Sequence, residues 1–244
     1  MDAGIVVLQY TTYLLEAGLL AYLLLRRRAG RLSALTVYVG LLLAVDAISR
    51  PYFLYRFGFA SPQYASFFWL TDVLLVLAAF GLIAAFFRRA CAREHQLWRH
   101  IRLLLTVVLI LVAGVSWFSL SQYYNQLFTQ FIIEFQQNLY FTCLVLNTLL
   151  FLLIQKLALA DGELTLLVSG LGIQFAGPAG NFALVHLTAG SGFGNVLYTY
   201  LGPLCTLGML STWFVAVARV PRTVRVPELG PQVAEMAVTV GRRP

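Results

Sequence analysis

Four acidic residues interrupt long apolar segments of this sequence, and their chemistry stands out first. Glu16, Asp46, Asp72 and Glu134 each lie within an apolar run, and Arg50 follows Asp46 by four positions. In a helix, that spacing places the acid and the arginine one turn apart on the same face. Acids in such surroundings pair with a base, bind a cation or take up a proton.

The composition indicates what kind of environment these acids occupy. Hydrophobic residues make up 60% of the 244 residues and charged residues only 11%, whereas soluble domains contain roughly 25% charged residues. Crossing about 30 Å of hydrocarbon takes about 20 helical residues, so about seven spans fit in this length. The sequence therefore predicts an integral membrane protein.

The predicted fold class is an all-α bundle of seven transmembrane helices. A lipid-exposed backbone must satisfy its own hydrogen bonds, so long apolar runs without strict alternation are helices. The predicted spans are residues 5–25, 34–55, 65–87, 102–121, 129–155, 164–187 and 197–218. Together they form one transmembrane domain, residues 1–220, and the proline-containing residues 221–244 are predicted to be a poorly ordered cytoplasmic tail.

Basic residues predict the orientation of the bundle. One set of connections and the C-terminal tail carry nearly all of them: Arg26, Arg27, Arg28, Arg31, Arg88, Arg89, Arg93, Arg99, Arg102, Lys156, Arg219, Arg222, Arg225, Arg242 and Arg243. The opposite side carries only Arg50 and Arg56. The positive-inside rule then places the N-terminus outside and the C-terminus in the cytoplasm. The arginine-rich, lysine-poor usage favours a multi-pass protein of a bacterial inner (plasma) membrane.

The acids are predicted to lie in the outer half of the bilayer or at its midplane. A charge at this depth costs on the order of 3 kcal/mol, so such residues usually face the bundle interior. At 1.5 Å per residue, Glu16 lies roughly mid-membrane, Asp46 about 13 Å deep, Asp72 about 10 Å, Glu134 about 9 Å and Arg50 about 7 Å.

Further polar residues are predicted to share faces with these acids. Asn138 lies four residues after Glu134, and Gln174 and Asn181 lie seven residues apart in the sixth span. The predicted binding residues are Glu16, Asp46, Arg50, Asp72, Glu134, Asn138, Gln174 and Asn181. Four acids against one arginine leave an excess of negative charge, which favours a small molecule, a cation or protons reaching the cavity from the outer side.

Two structural alternatives stay open at this point. The pair of Asp46 and Arg50 could be a structural clasp that determines which helices meet. The glycines around Pro178, which include Gly170 and Gly177, predict either a close helix crossing or a kinked helix that exposes backbone carbonyls.

Several function classes are disfavoured. A retinal Schiff base requires a lysine in the last span, but the sole lysine is Lys156. Histidines and cysteines lack the spacing of haem or zinc ligands, no nucleotide-binding or nucleophile motif occurs, and no cofactor is predicted. Enzyme is the least favoured class. The net charge of +7 comes from residues at the ends of apolar runs, so it indicates contact with lipid headgroups and not with nucleic acid.

Two functions remain. The first is a receptor-like or transport-related protein that binds a small molecule, an ion or protons in an outward-facing acidic cavity. The second is a non-catalytic scaffold or accessory subunit that binds a protein partner through its helices and the basic loop at residues 88–102.

Overall fold

The described chain is helical throughout in this computed structural model, which describes residues 3–26, 30–59, 61–92, 94–120, 127–157, 161–187 and 192–219. The helices are α1 (Ala3–Leu25), α2 (Ser33–Leu43), α3 (Arg50–Phe57), α4 (Pro62–Ala90), α5 (His95–Leu120), α6 (Leu127–Lys156), α7 (Gly162–Leu187) and α8 (Gly192–Ala218). A π-helical segment, Ala44–Ser49, joins α2 directly to α3. These elements make seven continuous helical segments, and no strand occurs in the described ranges.

Among the described residues, six segments are long and apolar enough to cross a membrane, as expected for a helical membrane protein. They are Gly4–Leu25, Ser33–Phe57, Pro62–Ala90, His95–Phe118, Glu134–Lys156 and Tyr200–Ala218. The seventh segment, α7, is 26 residues long and packs against α6 and α8. The predicted tail, residues 221–244, lies outside the described residues.

The turn between α3 and α4 shows how local chemistry determines helix ends. Gly58 ends α3 with a φ of 77°, a left-handed conformation that glycine adopts without steric cost. Ser61 then caps α4, because its Oγ accepts a hydrogen bond of 3.1 Å from the backbone N–H of Tyr64. Pro62 occupies the first helical position, where its missing N–H has no consequence. The helix therefore begins three residues before the predicted span.

The π-helical segment is a feature that the sequence pattern did not predict. The backbone N–H of Arg50 bonds the carbonyl of Val45, and the Ser49 hydroxyl donates to the Ala44 carbonyl at 2.8 Å. Pro51 follows directly and lacks the N–H that would close an α-helical bond to Ala47. The π turn therefore lies where Pro51 removes one hydrogen bond of the α-helix.

The core of the bundle is apolar and contains one large aromatic anchor. Trp213 of α8 is fully buried, and its Nε1 donates a 2.8 Å hydrogen bond to the carbonyl of Leu167 on α7. Its ring also meets Tyr38 edge to face, with centroids 5.8 Å apart. Gly170 makes room for this ring, since a Cβ there would lie 2.7 Å from Trp213 Cδ1. At Gly177 a Cβ would lie 3.0 Å from Cys205, so the predicted close helix crossing is confirmed.

Replacing Gly170 with alanine should therefore destabilise the α7–α8 pair. We expect Gly170→Ala to lower the free energy of unfolding by about 1–3 kcal/mol, as overpacking of a dense core does. The measurement is SDS titration of micelle-bound protein followed by tryptophan fluorescence.

Gly114→Ala in α5 is the matched control, because a Cβ at Gly114 meets nothing within 4 Å. Alanine favours helix over glycine, so we expect an unchanged stability or a gain of up to about 1 kcal/mol. Equal losses in both variants would contradict the close crossing.

Candidate functional site

Arg50 bridges two acids that come from different helical segments. Its Nη1 donates to Asp46 Oδ1 at 2.9 Å, and its Nη2 donates to Asp72 Oδ1 on α4 at 2.9 Å. Its Nε donates to the Thr71 hydroxyl at 3.3 Å. The guanidinium group therefore links the α2–α3 segment to α4, and the three charged side chains together carry one net negative charge.

Two further side chains complete the surroundings of this bridge. Gln136 of α6 donates a hydrogen bond from its Nε2 to Asp72 Oδ2. The Phe68 ring of α4 covers the guanidinium of Arg50, with the ring centroid 4.3 Å from Cζ. This distance is typical of a cation–π interaction. Three helical segments and an aromatic face thus hold Arg50 in one position.

A cavity of about 150 Å³ lies beside the bridge, in the middle of the bundle. Its polar lining residues are Asp46, Arg50, Asp72, Tyr38, Tyr140, Gln174 and Thr206, and its apolar lining residues are Leu42, Leu75, Val76, Ala79 and Phe175. These residues come from every helical segment except α1 and α5.

Buried polar atoms without a partner are distributed unevenly among the described residues. At the basic end of the bundle they are Arg89 Nη1 and Glu163 Oε1, and elsewhere they are all oxygen acceptors: Glu16 Oε1 and Oε2, Gln136 Oε1, Asn147 Oδ1 and Gln174 Oε1. Buried acceptors are normally satisfied by a donor. The interior around Arg50 therefore offers more hydrogen-bond acceptors than donors, in addition to its net negative charge.

Glu16 is the most enclosed of the acids. Its side chain is 0% exposed, and neither carboxyl oxygen has a hydrogen-bond partner among the described residues. Asp46 is the charged group that acts on it electrostatically. An ionised Glu16 would be repelled by the negative charge of Asp46. Glu16 is therefore coupled to the arginine bridge through Asp46, although it does not line the cavity.

The structure brings together four of the eight predicted binding residues. Asp46, Arg50, Asp72 and Gln174 line one cavity. Glu134 is half-buried, does not line this cavity, and makes no hydrogen bond or ion pair with another described residue. Its role in binding stays a prediction.

The two predicted asparagines have different outcomes. Asn138 lies outside the cavity lining, and its Nδ2 donates to the Ser116 hydroxyl on α5 at 3.2 Å. The side chain of Asn181 lies outside the described residues.

Gln136 is the main site residue that the sequence pattern did not identify. The polar stripe of Glu134 and Asn138 was expected to face inward. The buried face of α6 instead includes Phe135, Gln136 and Leu139. The apolar spacing of Phe135, Leu139 and Cys143 could have revealed this face, and Gln136 follows Phe135 directly.

A second group of charges lies at the other end of the bundle. Arg89 of α4 donates to Asp161 Oδ2 from Nη2 at 2.7 Å and from Nε at 3.1 Å, and to Glu163 Oε2 at 2.9 Å. Arg31 also bonds Glu163. The adjacent Cys91 is buried, and both this burial and the nearby Glu94 raise the pKa of its thiol, so the thiol stays protonated and unreactive at neutral pH.

The chain matches no known protein family, no curated protein and no solved structure. Function is therefore argued from the geometry of the Arg50 cavity. Among the described residues, no three His, Cys, Asp or Glu side chains are grouped so as to hold a metal ion.

Removing the bridging cation should be more damaging than removing all three charges. Arg50→Gln leaves two largely buried carboxylates without their base, and we expect a loss of about 3–5 kcal/mol in unfolding free energy. The triple variant Asp46→Asn, Arg50→Gln, Asp72→Asn leaves no unpaired charge and should lose less. SDS titration with far-UV circular dichroism measures both.

Arg56→Gln is the control, since Arg56 is an exposed arginine on the same helix. It should change the stability by no more than about 0.5 kcal/mol. A triple variant that is as unstable as Arg50→Gln would show that the charges of this bridge do not govern folding.

Proposed function

We propose that this chain is a receptor-like or transport-related membrane protein that binds a small cation or a proton in the cavity beside Arg50. It is a bundle of seven spans with its N-terminus outside and its C-terminus in the cytoplasm. The observation that carries this proposal is the chemistry of the buried interior. Two of its unpartnered side-chain oxygens belong to Gln174, which lines the cavity, and to Gln136, which bonds Asp72, and the cluster beside them has net negative charge.

The size of the cavity favours a very small ligand. Pockets for drug-sized molecules measure about 300–1,000 Å³, whereas this cavity measures about 150 Å³. A few water molecules or one small ion with its water fit such a volume. Carboxylate, amide and hydroxyl oxygens are the ligands that hard cations prefer.

The surroundings of the cavity support access from the outer side. Asp46, Arg50 and Asp72 lie towards the end where α3 and α4 join, which the positive-inside rule places outside. On the opposite side, Leu35, Val39 and Ile83 belong to the fully buried apolar core. The π-helical segment that carries Asp46 also favours a functional site, because π turns within α-helices occur frequently at such sites.

The first test is whether small cations or protons stabilise the protein. We expect the unfolding temperature in nanodiscs to rise on adding Na⁺, K⁺ or ammonium, or to vary with pH, whereas the bulky N-methylglucamine cation should have no effect. A ligand at 100 times its Kd stabilises a protein by about 2.7 kcal/mol, which for this length is a shift of several degrees.

Two variants and one control make this test specific. Gln174→Leu removes an unpartnered acceptor from the cavity lining, and Glu16→Gln removes the enclosed acid, so both should abolish the shift while the protein stays folded. Glu94→Gln changes an exposed acid before α5 and should retain it. A shift that persists in both folded variants, or no shift in the unaltered protein, would refute the cavity as a binding site.

Orientation is tested by labelling single cysteines with a membrane-impermeant maleimide in intact cells. With Cys91, Cys143 and Cys205 replaced by alanine, we expect Ser61→Cys to be labelled from outside. Gln96→Cys should be labelled only after the cells are lysed. The reverse pattern would place the cavity on the cytoplasmic side.

A non-catalytic scaffold or accessory subunit is the second candidate, and α5 favours it. This helix packs mainly on α6, and exposed apolar side chains follow one another along it: Leu103, Val107, Ile110, Leu111 and Trp117. Such a face fits the helix of another membrane protein as well as lipid.

Native mass spectrometry of gently extracted protein separates the candidates, since a stoichiometric complex without any effect of cations or pH would favour the scaffold.

A further inference from the structure

A cavity of about 730 Å³ lies at the basic end of the bundle, where α2, α4 and α5 meet. One wall is apolar and includes Leu35, Phe86 and Trp98. The rim is basic and includes Arg31, which precedes α2, and Arg88 of α4. It lies at the other end of these helices from the Arg50 cavity and has the opposite charge.

The basic side chains around this cavity are not equivalent. Arg89 donates from Nε and Nη2 to Asp161 and Glu163, but its buried Nη1 has no hydrogen-bond partner among the described residues. Arg31 shares Glu163 with it. Arg88 is exposed and makes no hydrogen bond or ion pair with another described residue. His95 is exposed too, and it adds two ring nitrogens to the same rim. The donors that remain for a ligand are therefore those of Arg88 and His95, the Nη1 group of Arg89 and the remaining N–H groups of Arg31.

We propose that this cavity binds the phosphate group of an anionic membrane lipid, with part of an acyl chain against the apolar wall. An arginine guanidinium binds phosphate oxygens through two parallel hydrogen bonds. Basic pockets between helices near a membrane surface are suited to such headgroups. This proposal does not depend on the Arg50 cavity. The proposed orientation of the bundle would place the bound lipid in the cytoplasmic leaflet.

The shape of the cavity favours a lipid over a free phosphate ion. A phosphate ion would fill a small part of 730 Å³ and would leave the partly exposed Trp98 of the apolar wall in contact with water. An amphiphile matches both sides, because its headgroup meets the rim while its chain covers the wall. Trp98 has the amphipathic ring that is enriched at the membrane surface.

The experiment is a titration of delipidated protein in neutral detergent, followed by native mass spectrometry. The ligands are phosphatidylglycerol, phosphatidylcholine and inorganic phosphate. We expect one phosphatidylglycerol to be retained per chain, with much weaker retention of phosphatidylcholine. Arg88→Gln should weaken phosphatidylglycerol binding roughly tenfold, as expected for the loss of a charge-assisted contact. His95→Gln should weaken it in the same direction.

Arg99→Gln is the matched control, since Arg99 is exposed on the first turns of α5 but does not line the cavity. It should bind phosphatidylglycerol as the unaltered protein does. Equal affinities of Arg88→Gln, His95→Gln and Arg99→Gln would overturn the proposal, as would equal retention of the two lipids. Displacement of the lipid by millimolar inorganic phosphate would overturn the assignment to a lipid and indicate a soluble anion.

Discussion

The charge of Arg50 is the constraint on which the rest of the bundle depends. A guanidinium group cannot be left unpaired among apolar helices, because an uncompensated buried charge costs several kcal/mol. The protein satisfies it with carboxylates from two helical segments, an aromatic face and a hydroxyl. Meeting all of these contacts at once determines how the α2–α3 segment lies against α4. Through Gln136 it also determines how α6 approaches the pair.

The bundle separates two polar systems of opposite character. The interior around Arg50 has spare oxygen acceptors and net negative charge, whereas the basic end has a spare donor on Arg89 and exposed donors on Arg88 and His95. Between them lies a core of fully buried side chains, which includes Leu35, Ile83 and Trp213. Under the two proposals, the two systems would bind ligands that reach the protein from different sides.

Local information in the sequence was enough to predict the helices and the pairing of Asp46 with Arg50. Hydropathy and helix caps depend on neighbouring residues, and Asp46 and Arg50 are one turn apart whatever the tertiary structure. Asp72 as the second partner of Arg50 depends on which helices meet, and a single sequence does not encode that in a readable pattern. Gln136 was missed because α6 buries the face with the better apolar spacing and not the face with the most polar residues. The π turn was missed because it leaves the apolar pattern almost unchanged.

The π turn makes the site sensitive to the length of the chain as well as to its composition. One π turn accommodates one more residue than an α turn, so the helix after it is offset by about 100° from the course of an unbroken α-helix. Deleting a single residue between Ala44 and Ser49 would restore α geometry and remove that offset. Arg50 would then point away from Asp72 although every charged residue were still present. Among homologues of this protein, an insertion or deletion in this stretch would therefore mark a divergence in function more clearly than most substitutions of single side chains.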